Sequence, residues 1–84
     1  MSPRSFKPDS SLPLLGQTVK ALRAEADITQ RELAVRSRID ASYISHIERG
    51  ERNLTWSALG RLSAGLGMPR SALVRRVEDA ERGC

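Results

Sequence analysis

Cysteine is almost absent from this chain. Of 84 residues only the last, Cys84, carries a thiol, so no internal disulfide can staple the fold, and a reducing cytoplasm is the expected setting. Histidine is equally scarce. With His46 alone, no cluster of zinc-ligand spacing can be written, and neither a metal nor another cofactor is expected. No run of about 18 apolar residues offers a membrane span, and the first residues lack the apolar stretch of a secretory signal, so no membrane partner is expected. Glycine-rich phosphate loops, internal repeats and alternating apolar runs of strand type are also missing. Ser45 and His46 are neighbours only along the chain, which on a helix sends them in different directions. No catalytic constellation competes, and an enzyme is not expected.

What is present is a small basic chain. Fourteen lysines and arginines stand against ten acids, a formal charge of +4, which suits a polyanion but also suits many soluble domains. One domain of this length removes only about 60% of its unfolded surface from water, so a partner subunit would add stability.

Residues 1–13 hold three of the four prolines, four serines and few apolar groups, a composition that reads as a loose N-terminal arm. Arg4 and Lys7 could touch a phosphate backbone, although a solvated tail is the simpler reading. From Leu14 the pattern changes. Leu15, Val19, Leu22 and Ala26 recur at steps of four, three and four, as in an amphipathic helix. Thr29 and Glu32 form a T-x-x-E capping box that opens a second helix at Gln30, with Leu33, Ala34 and Ser37 on one face. Arg38-Ile39-Asp40 interrupts the pattern, and Asp40 is the best N-cap for a third helix ended by Gly50. Thr55 caps a fourth helix carrying Leu59, Leu62 and Leu66, with Gly67 suited to its left-handed close. A fifth helix runs from about Pro69 to Glu81. The expected fold is all-α, a five-helix domain over residues 14–82.

Helices two and three meet across a turn too tight for a sheet or an enzyme site, and a helix fits the major groove of B-form DNA. With Ile44 and Ile47 pointing inward, spacing puts Ala41, Ser42, Ser45, His46 and Arg49 on the sides and outer surface of the third helix. Ser42 can donate to or accept from base edges, Ala41 can meet a thymine methyl, and neutral His46 has one donor and one acceptor nitrogen. No arginine or lysine occupies positions 41, 42 or 46, although arginine to guanine is the commonest specific contact. Arg38 in the turn and the phenol of Tyr43 are the candidates for the missing reader. Gln30 and Arg31, with Ser45, Arg49, Arg52 and Asn53, are placed to flank the groove and hold the phosphate backbone.

Gln30, Leu33 and Ala34, then Tyr43-Ile44-Ser45, Ile47-Glu48-Arg49-Gly50 and Arg52-Asn53, make the chain similar to the lambda-repressor-like, Cro and C1-type helix-turn-helix family from about Leu15 to Leu73. Within that family the glutamine matching Gln30 contacts a phosphate or braces the recognition helix, and the residues matching Arg23 and Glu48 form a buried ion pair. The resemblance therefore implies a structural role for Arg23 and Glu48. Leu54 stands where proline is commoner. With Tyr43-Ile44-Ser45, this departure resembles the small dimeric controller proteins of restriction-modification systems.

These readings converge on a homodimeric regulator of transcription that binds a pseudopalindromic operator in double-stranded DNA and regulates its own gene. One recognition helix reads only about four or five base pairs, so such modules usually pair. Leu73, Val74 and Val77 are assigned to the subunit contact with Trp56, which could alternatively cap the core beside Leu59. The charged run from Arg75 to Arg82 reads as a solvated face. No small-molecule ligand is expected in so short a chain. Two other readings stay open: an antitoxin-type regulator whose main partner is a protein, and an interaction module without DNA binding.

Overall fold

The computed structural model describes residues 11–83, and among them are five helices and no strand: α1 (Ser11–Glu25), α2 (Gln30–Ser37), α3 (Ala41–Glu48), α4 (Trp56–Gly65) and α5 (Arg70–Glu81). Threonine fixes two of the starts. Thr29 Oγ1 accepts from the Glu32 amide at 3.0 Å while the Glu32 carboxylate accepts from the Thr29 amide at 2.7 Å, so two amides that the first turn would leave unpaired are both satisfied. Thr55 Oγ1 accepts from the Ala58 amide at 3.0 Å and opens α4 in the same manner. Asp40 occupies the N-cap of α3, but its side chain makes no capping hydrogen bond. Its contribution is a negative charge beside the positive end of the helix.

α1 starts three residues earlier than the composition suggested. Pro13 lies inside its first turn, where a missing amide has no intrahelical partner to lose, so the apolar pattern from Leu14 extends back to Ser11. The rest of the expected arm, with Arg4 and Lys7, lies outside the described residues. At the other end Ala26 is exposed beyond the helix. Asp27 turns left-handed (φ 57°) and the buried Ile28 takes the core position instead.

The core is a cluster of aliphatic side chains: Val19 and Leu22 from α1, Leu33 from α2, Ile44 and Ile47 from α3, Ala58 and Leu62 from α4, Leu73 from α5, and Ile28 and Ile39 from the connecting turns. Five of the large ones, Leu33, Ile44, Ile47, Leu62 and Leu73, are fully buried, each contributing about 1.5–3 kcal/mol from removal of apolar surface. Leu73 is thus a core residue, and its expected place in a subunit contact does not survive. α5 packs against both α1 and α4, and Leu73 points into that junction, whereas the next residue, Val74, faces out.

Two glycines let helices approach more closely than spacing alone suggests. A Cβ on Gly16 of α1 would lie 2.6 Å from the Glu48 carbonyl oxygen of α3, and one on Gly65 of α4 would lie 3.1 Å from Leu33 and Ser37 of α2. Backbone cannot yield as a flexible side chain can, so Gly16 is the more demanding position. Gly16→Ala is expected to cost about 1–3 kcal/mol by forcing α1 from α3, read as a lower denaturant midpoint. An unchanged midpoint would mean that the two helices have slack to separate.

Candidate nucleic-acid interface

The turn between α2 and α3 is only three residues long. Arg38 takes the left-handed conformation (φ 59°, ψ 38°) and donates its amide to the Ala34 carbonyl, as does Ile39 at 3.1 Å. A non-glycine residue there costs about 1–2 kcal/mol, offset by Ile39, which the turn drives into the core. Arg38's side chain is left exposed at the corner.

α3 is held from beneath by its buried isoleucines and at its C-terminal end by polar bonds. Arg23 of α1 grips Glu48 with both prongs of its guanidinium, Nε to Oε2 at 2.8 Å and Nη2 to Oε1 at 3.0 Å, and donates from Nη1 to the Ile28 carbonyl at 3.1 Å. Gln30 of α2 adds a bond from Nε2 to Glu48 Oε1 at 2.9 Å. The Glu48 side chain is 4% exposed. Burial pushes its carboxyl up, but the bonds from Arg23 and Gln30 prevail and leave it below the usual carboxylate range. The arginine, bonded to Glu48, is held above its ordinary value. Gln30 therefore serves α3 as a brace, and the amide nitrogen expected at a phosphate is already engaged.

Above this base, Ala41 and Ser42 stand exposed on the first turn of α3, next to the exposed Arg38. Tyr43 is half-buried against the core, and its hydroxyl donates to the Asn53 carbonyl at 2.7 Å. The phenol ties down the loop after α3, so its donor is spent within the protein. Asn53 in turn accepts the Leu54 amide on its own Oδ1 at 2.8 Å, which makes it part of the same loop closure. Arg31 and Arg52 are exposed at the two ends of the unit and pair with no acid among the described residues.

Glu51, a residue the sequence reading passed over, joins His46 and Arg49 into a cluster that Arg49 extends to Ser45. His46 Nδ1 lies 2.7 Å from Glu51 Oε1, Arg49 Nη2 lies 3.3 Å from the same oxygen, and Arg49 Nη1 donates to Ser45 Oγ at 3.1 Å. The hydrogen bond from His46 is the chief cause that holds the Glu51 carboxyl below its usual range. The signal that could have found Glu51 is the left-handed Gly50 (φ 76°), which folds the chain back after α3.

Trp56 does not cap the core. It is 68% exposed at the start of α4, with the Arg70 guanidinium 4.6 Å from its ring centroid and Arg70 Nε donating to its carbonyl at 3.2 Å. Beside it runs an apolar groove lined by Ala64, Met68 and Val74, and a second groove, bounded by Val74 and the half-buried Val77, opens toward Leu12 and Leu15 of α1. Of the charged run from Arg75 to Arg82, Arg82, just past the end of α5, pairs locally with Asp79 at 3.0 Å, while Arg76 reaches Glu25 of α1 at 2.9 Å.

A sequence model of the helix-turn-helix domain matches residues 14–82. Control protein C.MunI from a Mycoplasma species is 39% identical over 64 residues, 75% of this chain and 86% of that protein. The immunity repressor of Bacillus phage phi105 is 38% identical over 60 residues, 71% of this chain, and the match spans 42% of the repressor's length. Among solved structures, the restriction-modification controller protein C.Esp1396I bound to a 25 base pair operator site superposes with a TM-score of 0.78 at 32% identity, covering 86% of this chain and 95% of that one. The clp gene regulator ClgR from Corynebacterium glutamicum does so with a TM-score of 0.79 at 26% identity, over 88% and 79% of the two chains.

The Glu48 lock carries a pH dependence of definite sign. Because its folded-state carboxyl is depressed, its contribution is complete above the unfolded value of about 4.3 and is lost as pH falls through the lower folded value. At neutral pH Glu48→Ala is expected to cost about 3 kcal/mol, because it strands the Arg23 guanidinium. Glu48→Gln should lose less stability than wild type between pH 5 and pH 2 on the order of one titrating group, measured by denaturant unfolding at each pH. Parallel losses in the two proteins would remove Glu48 as the acid-sensitive group.

Proposed function

Because this chain belongs to the Cro/C1-type helix-turn-helix family of transcriptional regulators, we propose that it binds double-stranded DNA as a homodimer, with α3 in the major groove, and that it controls the promoter of its own gene in the manner of a restriction-modification controller. The observation that carries this reading is the outer face of α3. Ala41 and Ser42 are uncovered there while Ile44 and Ile47 are wholly buried beneath them, so the helix offers small side chains that let it approach base edges. Arg31 on α2, Arg38 in the turn and Arg52 in the loop after α3 are exposed cations unpaired within the described residues, suited to phosphates. That C.Esp1396I, nearly all of whose length this fold covers, is bound to an operator site supports the DNA-binding part of the reading.

On this reading the side chains divide the labour. Ser42 and Ala41 read bases, with Arg38 reaching from the turn and His46 from the next turn of the helix. Arg31, Arg52 and Arg49 hold the backbone. Gln30, Tyr43 and Asn53 act from within, keeping α3 and its following loop in position. For the dimer, support comes from Trp56 and Val74, exposed large apolar side chains that border the groove between α4 and α5, with Val77 at the edge of the adjoining groove. Tryptophan is enriched among residues that dominate interface energetics.

Gel-shift titration against the chain's own upstream region at two salt concentrations tests the reading. Arg52→Ala should weaken binding to every duplex and lower the salt slope by about one unit, whereas Ser42→Ala should reduce discrimination between operator and random DNA with little loss on the latter. Failure of the wild-type protein to shift any duplex would favour a module that binds protein alone. Trp56→Ala should move the molecule toward monomer in sedimentation equilibrium without unfolding it, since the ring is mostly solvated in the isolated chain. A wild-type protein that sediments as a monomer at all concentrations would overturn the dimer.

A further inference from the structure

Glu51 is an anomaly on a surface meant for a polyanion: it sits one residue past Gly50, beside the recognition helix, and it consumes two of the groups that would otherwise face DNA. A carboxylate at that place repels phosphate. We infer that Glu51 is a specificity-determining residue, which lowers affinity for DNA in general and fixes the chemistry with which His46 meets a base. The inference rests on the DNA-binding reading above.

Two effects follow from the cluster. The first concerns charge. Arg49 directs one terminal nitrogen to Glu51 at 3.3 Å and the other to Ser45 Oγ at 3.1 Å, so its cation is partly neutralised and partly oriented before DNA arrives. A phosphate must compete with Glu51 for that guanidinium. The second concerns the tautomer of His46. A carboxylate oxygen 2.7 Å from Nδ1 accepts a hydrogen bond only if Nδ1 carries the proton, which assigns Nδ1 as the donor and leaves Nε2 of the neutral ring as an acceptor. In the major groove an acceptor matches the exocyclic amines of adenine and cytosine and is mismatched to the O6 and N7 of guanine. His46 reads an amine because Glu51 has already taken its proton-bearing side. The 3.1 Å approach of Arg49 Nη2 to the same Nδ1 is then a packing contact inside the cluster, since that nitrogen has no free lone pair to offer.

Glu51 is half-exposed and its partners are exposed or half-buried, so its replacement leaves the core untouched. The test compares wild type, Glu51→Ala and Glu51→Gln on the tightest duplex selected from a randomised library and on poly(dI-dC), over a range of salt. For Glu51→Ala we expect up to about fivefold tighter binding to poly(dI-dC), as the freed arginine gains a phosphate. The salt slope should steepen by about 0.9. The ratio of selected to non-selected affinity should fall, and a second selection with the variant should lose its preference for adenine or cytosine at the position His46→Ala also relaxes. Glu51→Gln, which keeps an acceptor oxygen without the charge, should steepen the salt slope while retaining the base preference. Unchanged slope and ratio in Glu51→Ala, with wild type discriminating normally, overturns the inference alone. Weaker binding to both duplexes overturns it as well, by making Glu51 a support of the surface. A wild-type protein that prefers no duplex removes the DNA-binding reading and this inference with it.

Discussion

The bonds that converge on the Glu48 carboxylate set the position of α3, and through it everything the surface can do. One carboxylate from the end of α3 meets a guanidinium from α1 and an amide from α2. Such a group is not retained for stability alone, because taking a carboxylate out of water costs several kcal/mol and well-packed apolar side chains often do as well. What apolar packing does not supply is direction. The two prongs of Arg23 match the two oxygens of Glu48 in a single orientation, so α3 is fixed in rotation as well as in depth. Its location at the helix C-terminus sharpens the point. A negative side chain there opposes the helix dipole, and the arrangement holds only because Arg23 and Gln30 supply compensating donors.

From that anchor the outward face follows by geometry. Ile44 and Ile47 set which side of α3 looks inward, Gly16 lets α1 lie close against its last turn, and the first turn, with Ala41 and Ser42, is left standing clear. Side chains that a list of polar residues would place at DNA turn out to be supports: Gln30 braces Glu48, Tyr43 holds the Asn53 carbonyl, and Asn53 closes its own loop. A polar residue near a recognition helix has two competing employments, and the shortest available internal partner decides between them. An internal bond already made demands no further ordering when the ligand arrives, which is the physical sense in which the site is preorganised.

This competition explains where the sequence was legible. Local chemistry read well: the Thr29–Glu32 box, the Thr55 cap, the left-handed Gly67 and the inward isoleucines all depend on residues within one or two turns. Contacts between distant segments did not. Nothing in the spacing of Leu73 distinguished a core residue from an interface residue, because both want an apolar face on α5, and only the packing of α5 against α1 and α4 separates them. Gly16 passed unnoticed because its meaning lies in the distant backbone of Ile47 and Glu48. Pro13 read as part of a loose segment, since proline's tolerance in a first turn depends on where the helix begins. Glu51 had no periodicity to mark it, and its reach to His46 depends on the reversal at Gly50. The Arg23–Glu48 pair entered through family resemblance, 25 residues apart in sequence and beyond any local rule.

The exposed Trp56 brings size and regulation together. A core of ten buried apolar residues among those described leaves a chain of this length only marginally stable, and yet the Trp56 ring is held out in water with Arg70 stacked on it. The stack restrains the ring before any partner meets it, which reduces the ordering entropy that association must overcome. On the dimer reading, burying that ring in a partner ties stability to protein concentration, so that the dimer and the fold strengthen together as the chain accumulates. A regulator built in this way needs no ligand pocket to sense its own abundance. On that reading the relevant chemistry is distributed between two places: a lock around Glu48 that holds α3 in position, and the apolar groove between α4 and α5, bordered by Trp56 and Val74, whose occupancy would follow the amount of protein.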